Sequence, residues 1–164
     1  SDSPFSIGVW VNVRDATNSE ILAKWNETTP SREWLFWMDG SDLLTIRLYD
    51  ESADTYIGLS TATAISEGIW TLLVVTYDGS GAEGGLTIYQ DEVAASTNSN
   101  SFGAYTAMEN QDAQVQLGAF EDTNLLFDGK MAGGPLGPFF THTELTADEV
   151  VQLYDLGRAA LEPP

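Results

Sequence analysis

The groups in this chain that could do chemistry are mostly carboxylates. Asp and Glu number 25 in 164 residues, beside a single histidine and no cysteine. Unaided carboxyl groups can cleave a glycosidic bond, but only as a facing pair, about 5–5.5 Å apart in a retaining enzyme. The acids cluster in three places: Asp50, Glu51 and Asp54; Glu109 and Asp112; Glu121, Asp122 and Asp128. None of these spacings sets two carboxyls side by side on one face of a strand, where neighbours lie two residues apart. His142 has no serine or acid partner near it in sequence and reads as a polar residue ahead of a helix. The glycine-rich run GSGAEGGL (79–86) lacks the lysine and the following helix of a phosphate-cradling loop. No catalytic residue is nominated, and the chain is expected not to be an enzyme. Without cysteine, disulfides, thiolate chemistry and zinc–sulfur sites are excluded.

Two non-catalytic chemistries fit the residues better. Calcium takes six to eight oxygens, usually from loops. Asp50, Asp54, Asp112, Asp122 and Asp128 are the candidate ligands, although none falls in an EF-hand spacing. The competing reading is that they are solvated surface acids. Glycan binding needs flat aromatic faces beside hydrogen-bonding side chains. Trp25, Asn26 and Arg32 border a polar loop, Tyr56 and Tyr105 sit next to others, and Trp37 is the fourth aromatic candidate. Trp34 and Trp37 are an odd number of residues apart, so they point to opposite faces of one strand. Trp10 and Trp70 fit strand interiors and belong to the core.

The net charge of −19 at pH 7 narrows the partners. Such a surface repels phosphate backbones and anionic membranes, which argues against nucleic acid as a partner. No apolar run reaches the ~20 residues that span a bilayer, so membrane insertion is not expected. What remains is another protein of an assembly, or a surface glycan. The chain starts at Ser1 without a secretory leader pattern, and it reads as a processed product or a piece of a larger polypeptide.

The elements that must position these residues are mostly strands. FSIGVWVNV (5–13) alternates, with Phe5, Ile7, Val9, Val11 and Val13 on one face, as a half-buried strand. EILAKW (20–25) reads as its hairpin partner. EWLFWMD (33–39) and LLTIRLYD (43–50) flank Asp39-Gly40, where the glycine would supply the positive φ of a tight turn. TYIGLS, GIWTLLVVTYD, GLTIYQD, EVAAST, AQVQLGAF and LLFDGKMAG follow, with GIWTLLVVTYD (68–78) apolar enough for mid-sheet and residues 98–112 as a long loop. About ten or eleven short strands argue for a two-sheet sandwich or barrel. The exception is the end: Thr146 and Glu149 form a capping box, Val150, Leu153 and Tyr154 an apolar stripe, and Gly157 the stop of a helix of about ten residues. So short a helix is marginal alone and must dock on the sandwich.

Taken in order, FSIGVWVNV, ILAKW, LTIRLYD, GIWTLLVVTYDGS, GLTIYQDEV, VQLGAF, LFDGKMAG and ELTADEVVQLYDLG resemble the laminin-G-like jelly-roll domains of the concanavalin A-like lectin/glucanase superfamily. The resemblance covers residues 4–158, and its most specific pieces are Trp70–Gly79 and Thr146–Tyr154. It implies an all-β, two-sheet antiparallel jelly-roll sandwich with one short C-terminal helix, in a single domain over 1–164. It also implies that rim loops could hold calcium. Catalytic relatives carry an E-x-D-x-x-E strand, which this sequence lacks. One segment departs from the pattern: AGGPLGPFFTH (132–142) reads as a rigid loop, and its wording resembles jelly-roll domains of tailed-phage virion proteins. The expected function is a non-catalytic recognition or assembly module, extracellular or on a virion surface, with a calcium-dependent lectin as the alternative.

Overall fold

The computed structural model describes residues 2–119 and 125–161. The strands are β1 (Phe5–Asp15), β2 (Ser19–Lys24), β3 (Trp34–Met38), β4 (Leu44–Asp50), β5 (Thr55–Thr61), β6 (Trp70–Tyr77), β7 (Leu86–Gln90), β8 (Val93–Ala94), β9 (Thr97–Ser99), β10 (Val115–Leu117), β11 (Asp128–Met131) and β12 (Phe139–Thr141). One α-helix, α1 (Ala147–Leu161), follows. The strands form two antiparallel sheets of six. Sheet one runs β11-β1-β6-β7-β8, with β12 sharing the β11 edge of β1; sheet two runs β10-β2-β3-β4-β5-β9. This is the expected all-β sandwich with a C-terminal helix. Among the described residues no helix is long and apolar enough to cross a membrane.

The core between the sheets follows from period two. Phe5, Ile7, Val9, Val11 and Val13 of β1 meet Leu73, Val75 and Tyr77 of β6 and Ile88 of β7 across from Phe36, Ile46, Leu48 and Ile57 of sheet two. Each buried apolar side chain of this size contributes about 1.5–3 kcal/mol relative to exposure. β6 lies mid-sheet between β1 and β7.

Several sequence expectations change, and EVAAST splits into β8 and β9 in different sheets. β2 is not the hairpin partner of β1; it lies in the other sheet, paired with β3 and β10, because the chain crosses over at the buried Ala16. β1 is buried on both faces rather than one, since α1 covers its outer side. Trp10, Leu72, Val74 and Tyr89 pack there under Val150, Leu153 and Tyr154, with the Trp10 and Tyr154 rings stacked at 5.5 Å. In the β3–β4 turn the positive φ falls on Asp42 (61°), while the Asp39 carboxylate accepts from the N–H groups of Ser41 and Leu43. The Gly–Pro segment holds β12: Ser6, Ile7 and Gly8 pair with Thr141, Phe140 and Phe139.

The helix start matches its reading. Thr146 N–H donates to Glu149 Oε2 at 2.8 Å, and Glu149 N–H donates to Thr146 Oγ1 at 3.3 Å. The stop does not. The helix runs through Gly157 to Leu161. Gly157 is there because a Cβ would fall 2.7 Å from Trp10 Cζ2, well inside the roughly 3.5–4.0 Å of carbon–carbon contact.

Candidate functional site

Sheet one is roofed by α1. The outer face of sheet two is not: the described helix packs on the other sheet. Yet this open face is apolar and aromatic. Ala23, Trp25, Leu35 and Tyr49 form a buried cluster, with Trp37 and Tyr56 packed against it. Alternation explains the set. Trp34, Phe36, Leu48 and Ile57 point into the core, so their neighbours Leu35, Trp37, Tyr49 and Tyr56 point out.

Register then aligns a row across five strands. Gln116 pairs Ala23, Ala23 pairs Leu35, Leu35 pairs Arg47, and Arg47 pairs Gly58. The middle of the row is low, flanked by Tyr49 and Tyr56 on one side and by Trp37 on the other. Gly58 keeps its end low as well, because a Cβ there would lie 2.7 Å from the Asn100 carbonyl oxygen. Beyond Tyr56, Phe102 is 60% exposed and tilts against the Tyr56 ring at 5.9 Å. Reciprocal 2.9 Å backbone bonds between Tyr56 and Phe102 hold it there.

Two arginine guanidiniums lie over these rings. The Arg32 guanidinium stands 4.2 Å above Tyr49. It donates from Nε and Nη2 to the two oxygens of Glu51, both at 2.8 Å, and reaches Asp54 at 3.4 Å and Glu27 at 3.7 Å. The hydrogen bonds to Glu51 hold Arg32 more firmly protonated and hold the Glu51 carboxyl below its ordinary range. Burial, with a hydrogen bond to Asp54, pushes the Tyr49 phenol up to about 12. Arg47 differs. Its guanidinium lies 4.0 Å from the Tyr56 ring centre and 5.2 Å from that of Trp37. Nη2 donates to Asn100 Oδ1 at 3.3 Å, and Asn100 in turn donates to Ser60 Oγ at 3.1 Å. Its buried Nε has no partner, and burial lowers its pKa.

The aromatic candidates from the sequence distribute unevenly. Trp25, Trp37 and Tyr56 all reach this face, with Arg32 at its edge. Trp25 is buried, edge-on to Tyr49, and its Nε1 donates to Glu27 at 2.7 Å. Asn26 closes the 26–31 loop by reciprocal backbone bonds with Ser31, and its Oδ1 accepts from Thr29 N–H. Trp25, Asn26, Thr28, Asp112, Gln114 and Gln116 line a polar cleft of about 400 Å³. That cleft adjoins the same face through Gln116. Tyr105 turns away: it packs against the core between the sheets, and its hydroxyl donates to Asp2 at 2.5 Å. Arg47, Tyr49 and Phe102 were missed. The first two had a signal in the alternation of LTIRLYD, where Arg47 and Tyr49 share the face opposite Ile46 and Leu48.

The described calcium candidates do not converge. Asp50 is buried, and its oxygens accept from Ala53 N–H at 3.1 Å, Ser52 Oγ at 3.3 Å and Thr106 N–H at 3.1 Å. Asp54 accepts from the Tyr49 hydroxyl and from Arg32. Asp128 pairs with Arg14 at 2.6 Å. Asp112 lies at the polar cleft, and Asp122 lies outside the described residues. Among the described residues no three His, Asp or Glu come together as a set that could hold a metal ion. His142 stands edge-on to Phe140 at 5.3 Å, beside a mainly apolar cavity of about 490 Å³ where Lys24 and Glu33 pair at 2.5 Å.

The two sheets define a jelly-roll sandwich with one outer sheet face roofed and the other open. The sequence matches the laminin-G-type family described as the concanavalin A-like lectin/glucanases superfamily over residues 1–133, and the chain belongs to it. The match ends before β12 and α1. No curated protein matches the sequence significantly. Among solved structures, the CBM40 of the Ruminococcus gnavus IT-sialidase, bound to α2,3 sialyllactose, superposes with a TM-score of 0.67 at 10% identity. It covers 94% of this chain and 84% of that one. A Bacteroides ovatus protein proposed to bind carbohydrate gives 0.64 at 16% identity, over 92% of this chain and 40% of that one. The binding domain of botulinum neurotoxin serotype G gives 0.63 at 15% identity, over 96% and 37%. At these identities the likeness is one of fold, and the chain spans well under half of the last two proteins.

Proposed function

We propose that this chain is a non-catalytic glycan-binding module that lays its ligand across the outer face of sheet two. The observation that carries the reading is the open aromatic face itself. Trp37, Tyr56 and Phe102 offer ring surface, while Arg47, Asn100 and Gln116 offer polar groups along one register row. Such a mixture, apolar walls with a few placed polar groups, is what small-ligand sites share. The row from Gln116 to Arg47 crosses three strand spacings, about 14 Å, enough for an extended oligosaccharide rather than one ring. The sialyllactose held by the Ruminococcus module, a similar fold, supports the reading without assigning the ligand here. Glycans are displayed outside cells and on surfaces that virions meet, so the reading places the module there.

Calcium is not among the groups that hold the ligand on this reading, because Asp50 and Asp54 already serve N–H, hydroxyl and guanidinium donors. The test is a glycan array followed by titration calorimetry with wild type, W37A and Y56A, with and without EDTA. Binding should persist in EDTA. It should weaken about tenfold or more in W37A, since each tenfold is only about 1.4 kcal/mol. Silence across the array, or full affinity in both folded variants, would count against the face.

A further inference from the structure

We propose that the glycan read by this face carries a carboxylate, and that Arg47 is the group that takes it. The inference rests on the glycan-binding reading above and deepens it. The chain has six Lys plus Arg against 25 acids. Among the described residues Arg14, Lys24 and Arg32 make ion pairs and Lys130 and Arg158 are exposed to water, whereas Arg47 is half-buried and makes no ion pair. Its one side-chain hydrogen bond is the 3.3 Å contact to Asn100, and Nε is buried without a partner. A desolvated polar group left unbonded costs free energy, and a charged one costs more. Nε is sealed from a ligand; Nη1, which is not buried, and Nη2, held only by the long Asn100 contact, are the donors a ligand can meet, and bonding them offsets part of that cost.

The shape of the vacancy selects a carboxylate. A guanidinium presents two parallel N–H groups that match the two oxygens of one carboxylate. The rings of Tyr56 and Trp37 lie beside the Arg47 guanidinium without neutralising it. Arg32 provides the contrast on the same face, with its fork already filled by Glu51. Of the carboxylates, Glu27 is the one whose charge is felt at Arg47. Glu27 stands near Trp25 and Arg32, so the ligand's carboxylate enters from the opposite side, over Asn100 and Ser60. The overall −19 does not forbid this. At physiological ionic strength exposed charges are screened beyond about 8 Å, so the local field decides.

A uronic acid and a sialic acid share this chemistry, and the experiment separates them. The full chain is titrated with sialyllactose, tri-galacturonate, the methyl ester of each, and lactose. Wild type should bind at least one free acid about tenfold or more tighter than its ester. The acid that binds names the source. R47L should melt no lower than wild type, because its side chain still covers the rings and removes an unpaired buried donor, and should bring the acid down to the ester's affinity. R47K should lose most of the preference, lacking the fork. Equal affinity for acid and ester, or full acid affinity in R47L, overturns the carboxylate inference and leaves the glycan reading standing. No binding by any sugar, charged or neutral, overturns both.

Discussion

Glu20 offers the sharpest quantitative test of the packing. It lies in β2 where the pairing with β3 slips between Glu20 and Leu22, and it is opposite Trp37. It is 1% exposed, and neither carboxyl oxygen has a hydrogen-bond partner. Burial alone pushes its pKa from 4.5 up to about 8. A raised folded-state pKa on an acid means that folding favours the proton. Stability from this group is therefore complete below pH 4.5, falls as the unfolded chain ionises and the folded one does not, and levels off above about 8. Each decade is worth about 1.4 kcal/mol, giving a loss of about 3 kcal/mol at pH 7 and about 5 kcal/mol well above pH 8.

Glu20→Gln keeps the shape and removes the ionisation. Urea unfolding of both proteins from pH 4 to pH 9 reads the difference. Acids such as Glu51, whose pKa is held down by Arg32, make both proteins less stable in acid and cancel in the comparison. The two should be nearly equal at pH 4, with E20Q ahead by about 3 kcal/mol at pH 7 and by more at pH 9. A pH-independent difference, or a wild type more stable than E20Q at pH 9, would refute the argument. Either would mean that the carboxyl is solvated or paired when ionised.

Two further variants probe other joints. Gly157→Ala should gain about 1 kcal/mol from helix propensity but lose about 1–3 kcal/mol by pressing on the buried Trp10 ring, so the melting temperature should fall. A rise would show that α1 does not approach Trp10 so closely. Asp2 gathers the Tyr77 and Tyr105 hydroxyls and the Met108 N–H at 2.5–2.8 Å, tying residues 105–108 to the start of β1. Asp2→Asn should cost about 2 kcal/mol and speed amide exchange at Met108, and unchanged exchange would speak against that tether.

What could be read from the sequence was what depends on near neighbours along the chain. The Phe5–Val13 alternation, the opposite facing of Trp34 and Trp37, and the Thr146–Glu149 box each need only a few residues of context. What was misread depends on contacts between distant segments. Gly157 carries the usual sign of a helix stop, and only the indole of Trp10, far back in β1, gives it another purpose. Phe139–Thr141 hid behind Gly and Pro because three residues suffice for a strand when the β1 edge is waiting. That Thr106 and Arg32 reach Asp50 and Asp54 from elsewhere is likewise invisible in the closeness of those two acids along the chain. Arg47 was visible as the polar residue of its strand. That it makes no ion pair with a described acid emerges only when five strands are laid in register.

The missing ion pair bears on how the open face is built. An antiparallel sheet commonly sheds its apolar side chains from the solvent face. Here both outer faces are apolar, so each needs a cover. On sheet one the chain supplies α1, and the cover is permanent: Tyr154 lies on Trp10, and Gly157 allows contact with no gap. On sheet two the cover is side chains, with Arg32 over Tyr49 and Arg47 between Tyr56 and Trp37. An arginine shields ring surface with its stem and plane while still holding N–H donors. A leucine in its place would shield as well and offer nothing to bind, and a glutamate would fit the chain's charge bias but repel an acid. Holding an unneutralised guanidinium over aromatic rings carries a desolvation cost that the fold does not require. On the carboxylate proposal above, a ligand meeting the Nη donors offsets that cost.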